Sequence, residues 1–154
     1  MDGVRGVAVM AAALATPFDR HRRSRWGMDA DDDRTYPGDD LIDRPRWGWT
    51  HGIEVAAPAD EVWPWIAQVG ADRGGFYSYQ WLENLAGCGL HNTDAVHPEW
   101  AARTGGELVL HPKVPPLRIA DVEPGRYFVA YADPSLDALA QGEAWTAVSW
   151  LLLV

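Results

Sequence analysis

With 154 residues, 47% of them hydrophobic, the chain is long enough to bury one real core and too short for two. Its 13 Lys and Arg against 22 Asp and Glu leave a net charge of −9, which argues against nucleic acid, whose phosphates require a basic face. The single cysteine, Cys88, excludes an intramolecular disulfide framework and points to a reducing compartment.

Residues 6–18 form an apolar run rich in Ala and Val, too short for a bilayer span of about 20 apolar residues. It reads as part of an N-terminal apolar and basic extension, residues 1–27, that lies outside the domain, and a cytoplasmic location goes with that reading. Two alternatives place the chain elsewhere, exported or membrane-associated through residues 6–18. One is a signal peptide with Ala13-Leu14-Ala15 as cleavage site; the other is an anchor stub backed by the basic cluster from Arg20 to Arg25.

Residues 28–46 read as an acidic linker around a Pro37-Gly38 turn. Asp29, Asp31, Asp33 and Asp40 fall at calcium-loop spacing. Arg34 stands where that loop needs glycine, however, and Pro37 sits at a ligand position, so no calcium site is expected.

Across residues 47–56, Trp49, His51, Ile53 and Val55 alternate with smaller or polar residues, which predicts the first strand. Pro58 then opens a helix with Asp60 and Glu61 in its first turn. Val62, Ile66 and Val69 line one face, Pro64 kinks the middle, and Gly70 ends it.

The densest stretch follows. Gly74 and Gly75 allow a tight turn, and Tyr77, Trp81, Leu82 and Leu85 then form one stripe of a short helix that Gly87 stops. Rings of this kind each bury about 150–250 Å² when packed, so Phe76, Tyr77, Tyr79 and Trp81 are expected to plug something concave.

Cys88, His91, Asn92, Asp94, His97 and Glu99 invite a zinc reading, but their spacing matches no familiar zinc arrangement. A turn at Asn92 to Asp94, with Thr93 or Asp94 capping a short helix through Trp100, is the expectation instead. Residues 107–111, 117–123 and 127–131 predict strands, the last two joined by a Pro124-Gly125 turn, and residues 145–154 predict a buried strand.

Three stretches together resemble a known superfamily: APADEVWPWIAQVG (57–70), GGFYSYQWLENLAGCGLHN (74–92) and PPLRIADVEPGRYFV (115–129). They look like the SRPBCC proteins, the START-like, helix-grip domains of polyketide cyclase and lipid-transport type, and the resemblance runs from about Trp26 to the end. It implies an α+β fold in which a curved antiparallel sheet grips a long C-terminal helix, two short helices follow the first strand, and an apolar cavity lies between. This chain lacks sequence for that long helix, so the reading is a helix-grip domain over residues 47–154, incomplete at its C-terminus. A sheet so shortened exposes an edge and an apolar face, and marginal stability with self-association through the edge is expected.

The resemblance also implies a function, the binding of a lipid or polyketide-like small molecule in an apolar cavity without chemistry. Trp65, Phe76, Tyr77, Tyr79, Trp81, Leu85 and Trp145 are the candidate liners, with Tyr77, Tyr79 and His91 able to orient a polar group. Plain core packing explains each of these residues equally well, and it explains most of the nine Trp.

A polyketide cyclase or dehydratase-like enzyme is the alternative, with His91 as base, Tyr79 as acid or oxyanion donor and Arg118 as anion partner. No nucleophile–base spacing or phosphate loop supports it. A partner-binding or non-functional fragment is the third reading. Neither a cofactor nor a metal is expected, and the expected partner is a hydrophobic small molecule, with no nucleic acid and no stable membrane insertion.

Overall fold

A computed structural model describes residues 27–28, 34–46, 48–85, 87, 89–132 and 147–154. The apolar run, its basic cluster, Asp29 to Asp33, Cys88 and Trp145 lie outside the described residues. Two compact units emerge: Met1–Arg34 with Arg44–Ala56, and Thr35–Asp43 with Ala57–Val154.

In the first unit, residues 48–56 form no strand. The predicted first strand is therefore corrected. Its alternation is real, yet a strand exists only through hydrogen bonds to a neighbour, and here Ile53 and Trp49 stand 84% and 65% exposed.

The second unit is α+β. Helix α1 spans Ala59–Ala67, with Pro58 as its N-cap and Asp60 and Glu61 against the positive end of its dipole. Pro64 lies inside it, and the helix continues past that position although proline removes one backbone bond. Trp63 and Ile66 carry its packing face, and Val69, two residues past its end and not on the helix as expected, joins the same core. Helix α2 spans Gln80–Leu85, and a 3-10 turn covers Pro98–Trp100.

Among the described residues four strands follow: β1 (Glu107–Leu108), β2 (Leu117–Glu123), β3 (Tyr127–Ala132) and β4 (Val148–Leu153). They form one antiparallel sheet in the order β1-β2-β3-β4. The predicted Pro124-Gly125 turn joins β2 to β3, closed by the Arg126 amide donating to the Glu123 carbonyl at 3.0 Å. A register shift between Ile119 and Asp121 bulges β2.

Leu108, Leu117, Ile119, Phe128 and Ala130 form the core face of this sheet, against Val69 and Ala102. Phe128 and Leu108 are fully buried, each stabilising the fold by about 1.5–3 kcal/mol relative to exposure. The far face is covered at one point by the turn before a second 3-10 segment, Asp39–Leu41. There Gly38, at φ +89°, lies so close to Val129 that a Cβ would come within 2.7 Å of its Cγ1.

At the hairpin, the Tyr127 hydroxyl donates to Asp121 Oδ2 at 2.7 Å. That bond, then desolvation, then the carboxylate charge raise the Tyr127 pKa above the ordinary tyrosine value. The hydrogen bond therefore stabilises the fold fully below the ordinary value and is lost as pH rises through the raised one. Absorbance titration, read as the difference from Tyr127→Phe, should show Tyr127 ionising late, and Asp121→Asn should bring it back toward the ordinary range.

Candidate functional site

The glycine-aromatic block is held by side-chain amides. Gln68, just past the end of α1, is 0% exposed. Its Nε2 donates to the Tyr77 hydroxyl at 2.6 Å and to the Ala95 carbonyl at 3.0 Å, while its Oε1 accepts from the His97 amide at 2.8 Å. One buried side chain thereby joins three separate points of the loop region, which is how a polar group is tolerated inside.

Asn92 performs the second fastening. Its Oδ1 accepts from the amides of Phe76 and Tyr77 at 3.1 and 3.0 Å, and its Nδ2 donates to the Ser78 carbonyl at 3.1 Å. Gly70 and Gly75 exchange backbone bonds of 3.0 and 2.9 Å across the turn between them. Gly75 has φ +79°, and a Cβ there would stand 2.2 Å from Asn92 Oδ1, so the position requires glycine. Tyr77 itself adopts φ +53°, a left-handed conformation that its amide bond to Asn92 and its hydroxyl bond to Gln68 hold in place.

That conformation keeps Tyr77 out of the helix, and α2 begins at Gln80, three residues later than predicted. The orientation of α2 also corrects the sequence reading. Gln80 Oε1 accepts from the Asn92 amide at 2.9 Å, and the Asn84 side chain both accepts from the Leu90 amide and donates to its carbonyl. These amides, one turn apart, take the inward side. Trp81 and Leu85, also one turn apart, are left 69% and 79% exposed, and Tyr79 is 73% exposed. The expected inward plug is thus reversed for these three residues, because the backbone at Leu90 and Asn92 claims the inner face of α2.

Other candidates lie closer to the core. Trp65 meets Tyr77 edge to face with ring centroids 5.7 Å apart, and Phe76 faces Trp150 on β4 at 6.4 Å. Trp150 pairs directly with Ala130, so it belongs to the core face of the sheet, yet it is 38% exposed. Val148 and Leu152 beside it are only partly buried. Towards β4, the apolar face is therefore incompletely covered by the described residues.

The three catalytic candidates do not converge. Tyr79 and His91 are exposed in the loop block, whereas Arg118 alternates with the buried Leu117 and Ile119 and so stands on the far face, across from Glu107 and Tyr131. His97 stacks on Trp100 with centroids 4.0 Å apart and lies 3.4 Å from Glu99, with no side-chain cap at that turn. Thr93 instead accepts from the Ala95 amide at 3.2 Å. Among the described residues, no three His, Cys, Asp or Glu side chains gather to hold a metal ion. Nor is any described helix long and apolar enough to cross a membrane.

No family model, curated protein or solved structure matches this chain. Of the four amides that organise the site, Gln68, Gln80 and Asn84 are residues that sequence reasoning missed, while Asn92, expected at a turn, fastens the block through its side chain. Their only trace in the sequence is a run of amide side chains threaded through a glycine-rich aromatic block.

Proposed function

We propose that this chain is a START-like, helix-grip domain that holds a hydrophobic small molecule of lipid or polyketide-like type without transforming it. The observation that carries the reading is the open apolar region where Phe76 faces Trp150, beside Val148 and Leu152 on the core face of the sheet. An apolar ligand seated there would cover surface that α1 leaves partly bare. Trp65 and Tyr77 extend the same aromatic lining, and the Tyr77 hydroxyl gives a fixed polar point at its margin. The order of two short helices followed by an antiparallel meander supports the reading, as does the likeness of the three sequence stretches.

Mass spectrometry of organic extracts from the purified protein tests it, combined with titration of a long-chain fatty acid followed by native mass spectrometry. A bound hydrophobe is expected, recovered unchanged. Replacing Trp150 with alanine should weaken fatty-acid binding roughly tenfold, since it removes a large, partly exposed ring from the wall of the site. An empty protein that also takes up no fatty acid would defeat the proposal.

A further inference from the structure

The described side chains of helix α2 are arranged in the opposite sense to those of an ordinary surface helix. Such helices normally turn apolar residues to the core and polar ones to water. Here Gln80 and Asn84 face inward, Trp81 and Leu85 form an outward apolar ridge, and Tyr79 just ahead of the helix is exposed as well. The arrangement is fixed. For Trp81 or Leu85 to swing in, the bonds from Gln80 to Asn92 and from Asn84 to both backbone groups of Leu90 must break, and Leu90 is itself fully buried. A rigidly presented apolar ridge calls for an apolar partner.

We infer that this ridge is a peripheral anchor for the surface of a zwitterionic lipid bilayer. Trp81 and Leu85 would enter the boundary between headgroups and acyl chains, with Tyr79 at headgroup level. Three features favour a bilayer as the occupant.

The first is side-chain type. Trp and Tyr combine an apolar body with a polar tip and concentrate at membrane–water boundaries, while leucine supplies the inserting group. The second is area. Three side chains of this size offer on the order of 400 Å², well under the roughly 800 Å² per partner that a stable protein interface buries, so a second copy docking on this ridge alone would be held weakly. A fluid bilayer needs no matching rigid surface. The third is charge. A chain of net charge −9 is repelled by anionic lipid, which selects a neutral surface. This docking requires no bound ligand and so stands apart from the ligand-holding reading.

The test is sedimentation of the full chain with phosphatidylcholine vesicles, and with the same vesicles doped with phosphatidylglycerol. The wild type should sediment with the neutral vesicles, and less with the doped ones. Its tryptophan emission should be quenched by brominated phosphatidylcholine. The double variant Trp81→Gln/Leu85→Gln should lose roughly tenfold or more of this partitioning. Its circular dichroism should stay unchanged, because both positions are exposed. Val114→Gln, at a half-exposed apolar position outside α2, should bind like wild type.

Failure of the wild type to sediment would overturn the inference, as would equal sedimentation of the double variant. A wild-type dimer that the double variant converts to monomer, seen by light scattering without vesicles, would also overturn it by assigning the ridge to a second copy.

Discussion

Gln68→Leu is expected to destabilise the domain by about 2–4 kcal/mol, because it strips partners from three groups at once while keeping the side-chain volume. The Tyr77 hydroxyl, the Ala95 carbonyl and the His97 amide all bond to that one amide. Each buried polar group left unpaired costs about 1–3 kcal/mol, and the part-buried setting of these bonds lets water recover some of the total. Urea unfolding should show a lower midpoint with an unchanged slope, and the thermal midpoint should fall by about 2–4 °C for each kcal/mol lost. Gln68→Glu should be milder at acidic pH, where a protonated carboxyl regains one donor. A loss below about 1 kcal/mol in the leucine variant would mean that the three contacts contribute little beyond what water supplies.

Gly75→Ala should have an effect of similar size for a different reason. The left-handed backbone alone costs an alanine about 1–2 kcal/mol, and the new methyl group would stand 2.2 Å from Asn92 Oδ1. The asparagine must withdraw, releasing the amides of Phe76 and Tyr77 together. A total of about 2–4 kcal/mol follows, again read from the urea midpoint. Because the release frees Tyr77, the variant should also speed hydrogen exchange at Phe76 and Tyr77 more than at Phe128, deep in the sheet. Uniform acceleration across the sheet and the loop would contradict a local lock.

Strands β2, β3 and β4 could be read from sequence because their signals are local and agree with one another. Alternation in Leu117, Arg118 and Ile119, the Pro124-Gly125 turn and the apolar run into Leu153 all point to the same meander. The failed strand at residues 48–56 had equally good alternation, but pairing is a property of two segments, and the pattern records only one. The aromatic block misled in another way. Periodicity marked Trp81 and Leu85 as an apolar face, and it cannot register that Gln80 and Asn84 are captured by backbone groups beyond the helix. The glycines at 74 and 75 were visible as a turn. The reason for one of them, an asparagine side chain lying against the α carbon of Gly75, depends on a contact far along the chain.

Val129 is closed over by Gly38, a residue synthesised long before the strand it covers. Until the strand carrying Val129 has paired, the Thr35–Asp43 segment has no apolar seat, and reaching that seat means closing one of the longest loops in the molecule. Loop-closure entropy therefore favours a sheet that assembles with this side still wet, and the early-synthesised segment is expected to settle onto it late in folding.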